Sequence, residues 1–330
     1  MNPNRKIINT AGAVIISSAS AVGGKEFEGP LGACFDFHDP DDRFGQKTFE
    51  KSESEMQRFV LASAMSKISL TPSDIGALFA GDLLNQCVSS AYGLLEYDIP
   101  YFGLYGACST AAEGIMLASV FVSNKLADYA AAVTSSHNAA AERQYRNPLE
   151  YGGQRTPTAQ WTVTGAGAFV ISSSGRVKVT EALPGIVVEK GICDASNMGA
   201  AMAPAAYDTI HAHFRDLSLR PEDYDLIVTG DLGETGSRIL CDLFQKDGIE
   251  LKKRHFDCGC AIFDAKRQDV HAGGSGCGCS ASTLCGYLLR QMQAGQYHRI
   301  LFCATGALLS PLSTQQGESV PGVCHAVAIH

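Results

Sequence analysis

With 330 residues, 45% of them apolar and 18% charged, the chain has material for a large buried core and is too apolar for a disordered segment. A formal net charge of −8 with no block of lysine or arginine excludes nonspecific nucleic-acid binding, which needs a basic face. Twelve cysteines are too sparse for a disulfide-stapled scaffold and sit mostly beside small residues, the pattern of buried free thiols in a reducing compartment.

Arg5 and Lys6 precede a mildly apolar stretch, Ile8 to Val22, which loosely resembles a short signal peptide. Ser17, Ser18 and Ser20 interrupt it, and it reads as a first strand. No apolar run reaches about 18 residues, so no transmembrane helix is expected. A helix is predicted over Lys51 to Ser66, closed by Pro72, and then a short strand that ends in Gly81-Asp82-Leu83. The turn Gly106-Ala107-Cys108-Ser109 opens a small-residue helix, Ala111 to Asn124, followed by a strand, Ala130 to Ser135. The stretch from His137 to Thr162 is polar, aromatic and rich in turns, an excursion over the surface or over a pocket. A strand over Ala166 to Ser172 closes this half.

The same signals then recur. A helix over Ala205 to Leu217, closed by Pro221, leads to a strand ending in Gly230-Asp231-Leu232. Gly278-Cys279-Ser280 opens a helix, Ala281 to Ala294, before the strands Ile300 to Gly306 and Val323 to Ile329. Cys108 lies 26 positions before Thr134, and Cys279 lies 26 positions before Thr305. Two motifs in the same order with equal internal spacing indicate a duplicated α/β module. Strand, helix and strand in succession predict right-handed crossovers within mostly parallel sheets sandwiched by helices.

Cys108 is the first candidate for chemistry, because a thiol at a helix start gains thiolate character from the dipole and from free N–H groups; the same glycine-rich entry offers free N–H groups at Cys279. A small cysteine filling space beneath a helix is the competing reading. His137, with Asn138, sits just past a strand, on the side where open sheets carry their sites. Arg143, Arg146 and Arg155 lie in the excursion, with Glu142, Tyr145 and Tyr151 among them. They read either as a solvated charged loop or as forks for a planar carboxylate. Asp82 and Asp231 end matched strands and face a ligand or cap the next helix. The Cys258-Gly259-Cys260 spacing beside His255 is not that of a zinc knuckle, and no metal site is expected. No Gly-x-Gly-x-x-Gly joins an early strand to a helix, which removes the dinucleotide fingerprint, and no cofactor is expected.

Eight ordered blocks carry a resemblance. They are Gly29 to Gly32, Ala80 to Gln86, Phe102 to Thr110, Thr134 to Asn138, Ala141 to Gln144, Glu150 to Gln154, Met198 to Ala206 and Ala304 to Pro311. In these the chain resembles the stage V sporulation protein AD family of endospore-forming bacteria over nearly its full length. That family is similar in fold to thiolases and ketoacyl synthases. The resemblance implies a thiolase-like duplicated α/β module, with one half over 1–172 and the other over 173–330. It further implies noncatalytic binding of dipicolinic acid (pyridine-2,6-dicarboxylic acid), in company with calcium, for uptake into the forespore. Other stage V sporulation A membrane proteins and a second copy in a homodimer are the implied partners, at the cytoplasmic face of the spore inner membrane.

The expected ligand-binding set is Cys108, Ser109, His137, Asn138, Arg143, Arg146, Arg155, Asp231, His255 and Ser275. Condensing enzymes of this fold pair the nucleophilic cysteine with a second-half histidine and a further histidine or asparagine. Here the first position reads Asp231, and the glycine-rich loop Gly274 to Gly278 carries Ser275 instead. Without a base and an oxyanion donor, acyl transfer on Cys108 loses most of its help. A cysteine-dependent acyltransferase or condensing enzyme, with His255 as the base, is the alternative.

Overall fold

The first strand is long because its 16 residues serve two neighbours at once. Ile8 to Ile15 pair with one strand, Val14 to Val22 with another, and Val14 and Ile15, which pair with both, are buried. The structure, a computed structural model, describes residues 5–145 and 154–330. Among them are thirteen strands: β1 Ile8–Gly23, β2 Phe37–Asp39, β3 Ala77–Gly81, β4 Tyr101–Leu104, β5 Ala130–Ser136, β6 Trp161–Thr162, β7 Gly165–Ser172, β8 Val177–Leu183, β9 Leu226–Thr229, β10 His255–Asp257, β11 Gly274–Ser275, β12 Ile300–Ala307 and β13 Gly322–Ile329.

Eleven of these form one sheet in the order β10-β9-β12-β13-β8-β1-β7-β5-β3-β4, with β2 beside β1. Outward from the β1/β8 seam the two arms have matching orders, β1-β7-β5-β3-β4 and β8-β13-β12-β9-β10, and matching directions at every step. The duplication read from the paired motifs is therefore a duplication of topology. The sheet is mixed, however, not mostly parallel: five of its ten pairings are antiparallel. The physical reason lies in the connections from β5 to β7 and from β12 to β13. Each contains a helix, Asn138–Tyr145 or Pro311–Gln315, that stays at one end of the sheet and does not cross it.

Helix Phe49–Ser66 starts on Thr48, whose hydroxyl accepts from the Lys51 amide, and packs on β1, β5 and β7. Helix Met198–Leu217, capped by Asn197, covers β12 and β13 in the same way. The two small-residue helices, Thr110–Ser123 and the one that starts at Cys277, each touch strands of both arms. Their composition follows from that position. A Cβ on Gly278 would stand 2.2 Å from the Gly165 carbonyl oxygen and 2.8 Å from the Ser136 amide, closer than any side chain tolerates. No helix among the described residues is long and apolar enough to cross a membrane.

Candidate functional site

The site is built where the two halves touch. β6 and β11 pair in parallel, Trp161 with Gly274 and Thr162 with Ser275, and this ribbon draws the second-half glycine-rich loop against the first half. Opposite it, the turn after β4 brings Cys108 forward. Ala107 holds a left-handed φ of 51°, and Gly306 backs the turn so closely that a Cβ there would meet the Gly106 carbonyl oxygen at 2.7 Å. Between them lies a cavity of about 370 Å³, a size that suits a small organic ligand. The first half lines it with Leu83, Asn85, Tyr105, Cys108, Glu142 and Tyr145, the second with Met198, Ser275 and the stretch Ala307 to Pro311.

At its floor Asp231 collects donors. Ser275 Oγ and the Gly276 amide donate to Oδ2, each at 2.9 Å, and Thr305 Oγ1 donates to Oδ1 at 2.9 Å. The Cys108 sulfur lies 3.9 Å from Ser275 Oγ. Burial pushes the Asp231 carboxyl up to about 6, against the pull of these donors. Burial first, and then the neighbouring Asp231 carboxylate, push the Cys108 thiol well above the ordinary thiol range. The expected gain of thiolate character at this helix start is thus reversed. Cys108 is held as a buried thiol beside a carboxyl group.

Two further expectations about the turn are corrected. The Cys279 N–H is not free for a ligand, since it donates to the Gly276 carbonyl, and beside Cys108 the Ser109 N–H donates to the Gly106 carbonyl. The Ser109 side chain is likewise spent on Gly106 at 2.6 Å and is fully buried.

Of the expected residues, Cys108 and Ser275 line the cavity and Asp231 stands directly behind them. The others are placed elsewhere. His137 is buried against Phe49, with Nε2 on the Asp42 carbonyl oxygen at 2.9 Å; its burial lowers its pKa and takes it off the cavity wall. Asn138 is turned to Thr162 and Thr164, bracing the ribbon. Arg143 points outward to an ion pair with Glu50, and Arg155 pairs with Asp269 beside the Trp161 ring. Arg146 lies outside the described residues. His255 shares a hydrogen bond of 2.8 Å with Thr229 on the neighbouring strand and does not line the cavity, so it supplies no base to Cys108.

The matched aspartates have diverged. Asp82 accepts from the Leu84 and Ser90 amides and from Ser90 Oγ, a purely local role. Asp231 caps nothing; helix Gly233–Lys246 takes its cap from Asp257, which accepts from the Leu232 and Gly233 amides. Asp257 also accepts from the Cys260 amide, and no three metal-ligating side chains converge among the described residues. The residues that sequence reasoning passed over are Asn85, Tyr105, Met198 and Leu308 to Pro311. Each falls inside a block that carries the resemblance, and position is a further signal, since Tyr105 abuts the cysteine turn and Leu308 follows the end of a strand.

Two kinds of likeness bear on this site. Among solved structures, OleA of Xanthomonas campestris with bound lauric acid and lauroyl-CoA aligns over 98% of this chain and 99% of that one, with a TM-score of 0.61 at 14% identity. The 3-oxoacyl-[acyl-carrier-protein] synthase III of Aquifex aeolicus VF5 aligns over 96% and 99%, with a TM-score of 0.58 at 13% identity. At such identities the likeness establishes the thiolase-like fold alone. In sequence, the chain is 46% identical over 312 residues to stage V sporulation protein AD of Bacillus subtilis (strain 168), covering 94% of this chain and 92% of that protein. The model of the family described as stage V sporulation protein AD matches residues 4–330. The chain belongs to the stage V sporulation protein AD family.

Proposed function

We propose that the chain binds dipicolinic acid without transforming it, as the calcium chelate, and so supports its uptake into the developing spore. One observation carries the noncatalytic reading. Where a condensing enzyme of this fold needs a base for its thiol and a donor for the developing oxyanion, this chain has the buried Asp231 carboxyl group. That group is taken up by Ser275, Gly276 and Thr305, adds to burial in disfavouring the Cys108 thiolate and would repel an oxyanion. Family membership supports the ligand, and a cavity of about 370 Å³ beside Cys108 accommodates it.

The calcium chelate suits this cavity better than the free dianion. The described lining includes Glu142 and neither lysine nor arginine, and calcium cancels the charge that such walls would oppose. Cys108, Ser275 and the phenol groups of Tyr105 and Tyr145 are the proposed contacts, with Arg146 the remaining candidate for an arginine fork. A second copy and other stage V sporulation A membrane proteins, at the cytoplasmic face of the spore inner membrane, are proposed partners on the strength of the family.

Calorimetry with dipicolinate in calcium and in chelator, on the parent and on Arg146→Lys, tests this reading. Tighter binding with calcium and little loss in the variant are expected. Calcium-independent binding that Arg146→Lys weakens would restore the arginine fork. Turnover of an acyl thioester with an acyl adduct on Cys108, read by intact mass, would restore the enzyme.

A further inference from the structure

The hydroxyl of Tyr105 faces two acceptors with one proton. Tyr145, across the cavity mouth, directs its own hydroxyl proton to the Leu83 carbonyl oxygen and so can only accept from Tyr105, at 3.1 Å. On the other side stands Asn85 Oδ1, at 3.2 Å. Tyr105 satisfies one of these at a time, and both contacts are longer than an ordinary O–H···O bond. The residue is 51% exposed although it lines the cavity, and it stands at the junction between the end of β4 and the Gly106 turn. Tyr145 is the opposite case: partly buried, tied to Leu83, its hydroxyl pushed far up by burial. The mouth therefore has one anchored aromatic wall and one loosely held aromatic ring.

We propose that Tyr105 is a movable aromatic cover that determines specificity, swinging off its two acceptors to stack on a planar ring bound in the cavity. The inference rests on the reading that an aromatic dicarboxylate is the ligand and adds the residue that distinguishes flat rings from puckered ones. Stacking rewards a flat π-face, and apart from the anchored Tyr145 the other apolar walls, Leu83, Met198, Leu309 and Pro311, are not aromatic. The freed phenol proton turns to a ligand carboxylate, a charged and hence stronger acceptor than either present partner.

The comparison that isolates this is dipicolinate against cis-piperidine-2,6-dicarboxylate, its saturated and puckered analogue with the same two carboxylates. Both are titrated with calcium present, by calorimetry, into the parent, Tyr105→Phe and Tyr105→Ala. The parent should prefer the planar ligand by about tenfold, the scale of one aromatic stacking contact. Tyr105→Ala should lose that preference, and the loss of the phenol's hydrogen bond to a carboxylate should weaken both ligands alike on top of it. Tyr105→Phe should keep the preference and, having no hydroxyl to hold the cover shut, bind and release dipicolinate faster in stopped flow. An unchanged preference in Tyr105→Ala, or an equal loss for both ligands, overturns the cover. Failure of the parent to bind dipicolinate overturns the proposed function itself, a separate outcome.

Discussion

Asp231 adds its charge to burial in keeping Cys108 a thiol, and removing that charge should show its share. In Asp231→Asn the repulsion that disfavours the thiolate is gone, so the Cys108 pKa falls and alkylation by iodoacetamide at pH 8 should accelerate about tenfold, one unit of pKa. An unchanged rate would mean that burial alone protects the thiol. The same carboxyl also marks the stability curve. Its folded pKa, about 6, lies above its ordinary 3.8, so the folded state holds the proton more tightly than the unfolded chain. This contribution is fully present below pH 3.8 and is lost as pH rises through about 6. Urea midpoints measured from pH 4 to 7 should fall less steeply in Asp231→Asn than in the parent. At this scale the sequence was half legible. Cys108 and Asp231 were readable because each follows a strand close to a glycine, and Ser275 because glycines flank it on both sides. His137, Arg143 and Arg155 share the same neighbourhood in sequence, but their directions depend on Asp42, Glu50 and Asp269, partners up to 114 residues away that no local pattern announces.

The two helices rich in small residues were readable as elements because Ala, Gly and Ser fall where a helix must meet a sheet at short range. The expected span Ala111 to Asn124 is realised as Thr110–Ser123, and the strand after it as Ala130–Ser136. What the pattern could not carry was strand direction. Strand, helix and strand usually means a parallel crossover, yet Asn138–Tyr145 and Pro311–Gln315 are helices that return the chain beside the strand it left. The close approach at Gly278 gives a direct test of how tightly these layers fit. Gly278→Ala places a methyl group against the Gly165 carbonyl and the Ser136 amide, both backbone, so the helix has to move. A loss of about 3 kcal/mol in urea unfolding is expected, from overpacking. A loss below about 0.5 kcal/mol would show that the helix shifts freely.

Across the whole molecule, the paired Gly-Asp-Leu strands and the shared spacing foretold the doubled topology, while the single sheet that runs through the β1/β8 seam was not visible in either repeat. We propose that the halves divide between residues 172 and 173, in the turn joining β7 to β8. Because helix Thr110–Ser123 also packs on β12 and β13, and the Cys277 helix also packs on β5 and β7, neither half buries its own core. Fragments 1–172 and 173–330 should therefore co-purify when expressed together and each be insoluble or unfolded alone. A soluble, cooperatively unfolding first fragment would count against this. The cavity inherits the same arrangement, with Tyr105 and Tyr145 on one side and Met198 and Pro311 on the other. A molecule seated there touches both halves at once and works as a rivet: it adds its binding free energy to the joint between them, so that the filled protein resists being pulled apart along the one plane where duplication left it divided.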